Sequence, residues 1–217
     1  MTLRPWSLLL LAAALAACGD SAAPDRSDRY GYQILNRSDT LAFHWNGAEL
    51  PVRIWVENNA NLPAQVQRAI TVWKNVLGGQ YDAIEVNDSS TAKVIVHAQP
   101  INAAPSLIPI GSVACQGLTQ IDTVATEFQL SIPIRISIET LGDPASDSVQ
   151  ACVRRVTAHE LGHSLGLFQH SPNPGDLMYS TPLVDAPSTR DDNTVNYLYS
   201  VVRNMIPTAE ATATPKP

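Results

Sequence analysis

The chain has 217 residues and a formal net charge of −6, which is the size of one ordinary domain with terminal extensions. The acidic excess provides no positive field that would attract phosphate groups, so nucleic acid is excluded as the expected partner. Apolar residues make up 45% of the chain, and part of them lie in the first 17 residues rather than in a core.

The N-terminus has the pattern of an export signal. After Arg4, residues 8–17 form an unbroken apolar run, which is too short to span a bilayer but suits a signal peptide. The run leads into Leu-Ala-Ala-Cys, which resembles the bacterial lipobox, in which the cysteine (here Cys18) is acylated. We therefore predict a signal peptide over residues 1–17 and an exported bacterial lipoprotein on the periplasmic or cell-surface side of a membrane. An ordinary signal with a chance cysteine is the alternative.

Two polar segments flank the predicted domain. Residues 18–40 contain Pro, Gly and Ser and show little periodicity, which favours a lipidated N-terminus followed by a flexible tether. Residues 205–217 include a low-complexity stretch of Pro, Thr and Ala, which is typical of a disordered tail. We expect the folded domain over residues 41–204, and we expect it to be a monomer.

Apolar periodicity predicts the helices and strands of this domain. Alternating residues predict a strand over 50–56, and apolar residues at helical spacing predict a helix that begins near Pro63 and ends at Gly78. Four short strands follow, at residues 84–86, 93–97, 118–126 and 132–138. Two helices come after them, at residues 148–165 and 188–202. This order predicts the α+β fold class.

Several residues receive structural interpretations. Trp45, Trp55 and Trp73 are expected in the core, and Asp191 and Asp192 are interpreted as charges in the first turns of the last helix. If Cys18 carries lipid, Cys115 and Cys152 remain in an oxidising compartment, so we predict a disulfide between them. Two separate buried thiols are the alternative.

Three residues at helical spacing carry the chemistry. His159 and His163 are four residues apart on a predicted helix, so both imidazoles can reach one metal ion. Glu160 can face a water beside that metal and act as a general base. A catalytic zinc site needs a third protein ligand, for which His170, four residues after Gly166, is the first choice. Asp176 and Gln169 are the alternatives.

Residues 159–171, HELGHSLGLFQHS, followed by DLMY at 176–179, resemble the metzincin metalloproteases, and among them the matrixin-like branch. The resemblance implies one catalytic Zn²⁺ held by His159, His163 and His170, with Glu160 as the general base and Met178 in a methionine-containing turn. It also implies the metzincin fold, a mixed twisted sheet of about five strands packed on helices, with an active-site helix and a C-terminal helix.

The sequence departs from the family pattern at two positions. The third histidine usually lies three residues after the glycine, where this chain has Gln169, and His170 comes one residue later. Tyr179 follows Met178 directly, so we interpret it as a residue of the pocket wall and not as a metal ligand. Calcium is left open, but no acidic loop resembles a calcium cage.

The resemblance implies a zinc-dependent endopeptidase that hydrolyses protein or peptide substrates. An extended substrate is expected beside an edge strand formed by residues 118–126. Two alternatives remain at this point: a catalytically idle, surface-anchored binding lipoprotein with the same fold, or a zinc hydrolase of non-peptide amides.

Overall fold

The computed structural model describes residues 27–36, 39–101, 114–124 and 127–209. The predicted signal peptide, Cys18 and the last eight residues of the chain lie outside the described residues. No helix within these ranges is long and apolar enough to cross a bilayer.

One mixed sheet and three helices form most of the described structure. Five strands are hydrogen-bonded in the order β4-β3-β5-β9-β6; the first four run parallel, and β6 runs antiparallel to β9 at one edge. This architecture confirms the predicted α+β class and the predicted five-stranded sheet. The elements are β1 (Ile34–Asn36), β2 (Asp39–Leu41), β3 (Val52–Val56), α1 (Leu62–Leu77), β4 (Ala83–Val86), β5 (Val94–Ala98), β6 (Cys115–Gln120), β7 (Thr123–Val124), β8 (Gln129–Ile132), β9 (Ile134–Thr140), α2 (Asp147–Ser164), α3 (Thr189–Ser200) and β10 (Ile206–Ala209).

Two tryptophans fix the position of α2. The indole N–H of Trp73, on the buried face of α1, donates to the Ala158 carbonyl at 2.9 Å. The indole N–H of Trp45 donates to the Ser164 carbonyl at 3.0 Å. Both rings are fully buried, and these carbonyls replace the water molecules that would otherwise accept from the two indole N–H groups. Trp55, which was also expected in the core, is only half-buried on β3.

The folded part extends beyond both predicted limits. Tyr30 and Tyr32 are buried in the core, so the prediction of a flexible tether is wrong for this part of residues 18–40. Met205 is also buried, and β10 pairs in parallel with β8, so the prediction of a disordered tail is wrong from residue 205 to residue 209.

Two predicted strands have different limits in the structure. The run 132–138, predicted as one strand, is divided at Pro133 into β8 and β9, since proline has no N–H to give to a strand ladder. The strand predicted over 118–126 begins earlier, as β6 at Cys115, and it ends at Gln120. β6 nevertheless lies at the edge of the main sheet, as predicted.

A disulfide ties this edge strand to α2. Cys115 on β6 is bonded to Cys152 on α2, with 5.9 Å between their Cα atoms. The predicted pairing is thus present, and it fixes the edge strand covalently to the helix that carries His159 and His163.

Candidate metal centre

The active-site helix, α2, begins and ends at residues that suit these positions. The Ser146 side chain caps its N-terminus by accepting from the Val149 N–H. At its C-terminal end Gly166 has φ +107°, and a Cβ on this glycine would overlap the carbonyl oxygen of Phe43. Only glycine tolerates both this backbone and this close approach, so the chain turns sharply toward His170.

Three imidazoles meet beyond this turn. His159 and His163 are buried on α2, and the ligand atoms of His159, His163 and His170 all lie within 4.8 Å of one another. The Nε2 atom of His163 is 3.1 Å from Nε2 of His159 and 3.3 Å from Nε2 of His170. The structure thus brings together the three predicted ligands.

Backbone carbonyls determine which imidazole nitrogens of His159 and His163 carry no proton. Nδ1 of His159 is 2.8 Å from the Leu177 carbonyl, and Nδ1 of His163 contacts the Leu167 carbonyl. Because a carbonyl only accepts, each Nδ1 must carry the proton, and each Nε2 then presents a lone pair. These two lone pairs face each other with no hydrogen between them.

The pKa values of these groups are consistent with neutral rings. Burial lowers the pKa of His163 to about 4. Burial, with the neighbouring His163, lowers the pKa of His170 to about 4. Burial and His163 also hold the pKa of His159 well below its usual value. Near neutral pH the His159 and His163 rings carry no second proton, so no proton lies between their Nε2 atoms. The cluster therefore fits a cation such as Zn²⁺, which accepts neutral imidazole nitrogens.

Glu160 lies beside this cluster in a buried environment. Burial raises the pKa of the Glu160 carboxyl to about 7, although hydrogen bonds from Thr119 act in the opposite direction. The Thr119 hydroxyl donates to Oε2 of Glu160 at 2.7 Å. Sequence reasoning missed Thr119, because nothing in its residue type separates it from any other threonine on an edge strand.

A cleft of about 490 Å³ opens over these side chains. One wall is β6, through Gly117, Leu118 and Thr119, and the floor is α2. The opposite side includes Ser180 and Thr181. Tyr179, predicted in the pocket wall, is half-buried and does not line the cleft, so that prediction is wrong. The two residues that follow it, Ser180 and Thr181, line the cleft instead.

Met178 packs beneath the cluster. Its side chain is fully buried, and a Cβ added to Gly162 of α2 would lie 2.5 Å from its sulfur. The residue before it, Leu177, provides the carbonyl that orients His159. The turn at Met178 therefore supports the metal ligands from below through both packing and hydrogen bonding.

Asp191 holds this turn in place. Its buried carboxylate accepts hydrogen bonds from the backbone N–H groups of Leu177 (2.7 Å), Met178 (3.3 Å) and Ser188 (2.8 Å) and from the Tyr30 hydroxyl (2.7 Å). Asp191 lies in the first turn of α3, as predicted, but its carboxylate is also buried and holds the turn at Met178, which the sequence did not indicate. The other residue of the pair, Asp192, accepts no such bonds from the turn.

The two alternative third ligands lie elsewhere. Asp176 is buried and accepts from the Ser171 and Ser188 hydroxyls and from Nε of Arg190. The Gln169 amide donates to the Gln33 carbonyl at 2.6 Å. Neither residue is in the three-histidine cluster, so of the three candidates only His170 lies with His159 and His163.

The five-stranded sheet, the helices and the three-histidine cluster are compatible with a metzincin fold. Residues 118–200 match the family model of the matrixin peptidases, and this range contains the three histidines, Glu160, Met178 and α3. This part of the chain is therefore similar to the matrixins, as its sequence motif indicated. No curated protein sequence matches it.

Proposed function

We propose that this protein is a zinc-dependent endopeptidase in which His159, His163 and His170 hold one zinc ion and Glu160 is the general base. The observation that carries the proposal is the convergence of three imidazole side chains next to a buried carboxylate in an open cleft. The matrixin match supports zinc and peptide substrates.

Held by His159, His163 and His170, a zinc ion would supply Lewis acidity and would lower the pKa of a water beside it, so that a nucleophile would be available near neutral pH. Glu160 would accept a proton from the attacking water and would then give it to the departing amine. A carboxyl with a pKa of about 7 can both accept and release a proton near neutral pH. Thr119 orients the carboxylate by its hydrogen bond.

The edge strand β6 offers backbone groups that an extended substrate can pair with. β6 pairs with β9 on one side and, through Gly117, Leu118 and Thr119, lines the cleft on the other. An extended peptide can therefore add to β6 as a further strand, since backbone hydrogen bonds to a free edge do not depend on side-chain type. The scissile bond then lies over Glu160.

We also propose that the protein acts outside the cytoplasm and that a lipid at Cys18 anchors it to a membrane. The apolar run over residues 8–17 and the cysteine that follows support export. The Cys115–Cys152 disulfide supports an oxidising compartment.

The direct test measures metal and cleavage together. We expect one zinc per chain by elemental analysis, cleavage of casein or a peptide library, loss of both on chelation and recovery of both on adding zinc. Stoichiometric zinc without cleavage of any peptide would favour the idle binding protein. Cleavage of simple amides alone would favour the non-peptide hydrolase.

Gly117→Ala should lower the rate of peptide cleavage. A Cβ at residue 117 would come closest to Cγ1 of Val156 and would lie 2.6 Å from both Cγ and Oε1 of Glu160, so the side chains of both α2 residues must shift. We expect kcat to fall by about 10–100-fold, because small misplacements of a catalytic group have effects of this size, while zinc content stays at the wild-type level.

Gly79→Ala is the matched control, since a Cβ at that glycine meets nothing within 4 Å. Steady-state kinetics on one peptide would compare the two variants. Equal kcat values for Gly117→Ala and wild type would contradict the predicted role of this close contact.

A further inference from the structure

The loop that carries the third ligand is one residue longer than the family pattern, and the structure shows what holds it. Its first part is fixed by backbone bonds: the Leu167 N–H lies 3.3 Å from the Gly162 carbonyl, and the Phe168 N–H lies 3.0 Å from the Gly166 carbonyl. The next backbone bond of the loop follows His170, where the Ser171 N–H donates to the Met178 carbonyl at 2.8 Å. Gln169, the residue just before His170, is held in another way.

Residues 30–33, which we call the N-terminal strap, lie against this loop. The strap is itself anchored on α3: the Tyr30 N–H donates to the Thr194 hydroxyl at 3.2 Å, and the Tyr30 hydroxyl donates to Asp191. The Tyr32 carbonyl accepts a hydrogen bond from the Phe168 N–H at 2.9 Å. The loop is thus attached to a fixed part of the domain.

The Gln169 side chain fits into this strap. Its amide nitrogen donates to the Gln33 carbonyl at 2.6 Å. Its other end lies against Gly31, where an added Cβ would come within 3.0 Å of Gln169 Cδ and nearer still to Oε1. The glycine leaves the space that the glutamine amide fills, so the two residues are matched in shape.

We propose that Gln169 is a positioning residue which, held between Gly31 and the Gln33 carbonyl, sets the longer loop so that His170 delivers the third metal ligand. The inference rests on the proposed metal site. It explains how the site accommodates an extra residue: the side chain at 169 points to the strap, and the next residue turns into the cluster, where His170 Nε2 lies 3.3 Å from His163 Nε2.

The test uses the full-length protein and reads metal binding, not peptide cleavage. The wild-type protein is loaded with Co²⁺ in place of Zn²⁺, because the visible absorption of bound Co²⁺ reports the geometry of its ligands. Gln169→Ala should weaken Zn²⁺ and Co²⁺ affinity by about 10-fold or more, as is typical when the support of a ligand is removed, and should change the Co²⁺ spectrum. Gln80→Ala, which removes an exposed amide far along the chain, should change neither.

A double-mutant cycle tests the match between Gly31 and Gln169. Gly31→Ala alone should weaken metal binding, because the new methyl group displaces the Gln169 amide. In the Gln169→Ala background the same change should have little further effect, since the amide is gone. Additive effects of the two substitutions would contradict the proposed contact.

Moving the third histidine from position 170 to position 169 tests whether the N-terminal strap determines which of these two residues can reach the metal. His170→Ala should lose most of the metal affinity, and adding Gln169→His should not restore it, although this places a histidine at the family's usual position. Full recovery in that double variant would overturn the proposal, as would an unchanged affinity and spectrum in Gln169→Ala. A wild-type protein that binds neither metal would contradict the proposed function instead.

Discussion

Replacing Glu160 with alanine is expected to lower the rate of peptide cleavage by about 10²–10⁴-fold, the range for losing a general base, while one zinc stays bound to each chain. Zinc is retained because the three imidazoles and the carbonyls that orient them are untouched. The measurement is kcat/KM on a peptide substrate together with zinc content. Glu160→Gln should give the same result, since it keeps the shape of the side chain but cannot accept the proton.

A surface carboxylate provides the control for this experiment. Glu85 is exposed on β4, so Glu85→Ala should cleave at the wild-type rate. Full activity in Glu160→Ala would exclude Glu160 as the base, whatever the metal content of the protein.

Asp191→Ala should have the largest effect on stability. The substitution leaves three backbone N–H groups and the Tyr30 hydroxyl without their buried acceptor. Hydrogen bonds to a charged group contribute about 1.5–3 kcal/mol each, so we expect a loss on the order of 4 kcal/mol in the free energy of unfolding. Urea denaturation of the metal-free protein would measure it.

The same variant should also bind zinc less tightly, by about 10–100-fold, because the Leu177 carbonyl that orients His159 lies in the turn that Asp191 holds. Asp192→Ala is the matched control, one residue along the same turn of α3, and should change stability by no more than about 0.5 kcal/mol. Equal losses in the two variants would show that Asp191 acts only through the charge at the helix N-terminus.

The sequence predicted best those features that depend on local spacing. The four-residue interval between His159 and His163 places both on one face of any helix, and the glycine after them ends that helix. Apolar periodicity likewise predicted α1 and β5. The helix predicted from residue 188 begins as α3 at Thr189, and the Ser188 side chain caps it.

The features that it did not predict depend on contacts between distant parts of the chain. Asp191 and Asp192 have the same residue type and occupy the same turn, and only the position of the Met178 turn decides which of them is buried. Residues around Tyr30 and Tyr32 are polar enough to resemble a tether, but α3 covers the two rings. Thr119 contacts Glu160 only because β6 lies along α2.

The contact between Tyr30 and Asp191 joins residues 161 positions apart, and it has a consequence for the order of folding. Contacts across so long a segment form late, because the chain must first close a large loop. The Tyr30 bond to Asp191 therefore forms only when the C-terminal helix meets the beginning of the domain, whereas the bonds from Leu177, Met178 and Ser188 join residues that are close in sequence. We expect that partial chains lacking either Tyr30 or α3 do not show the proposed peptidase activity.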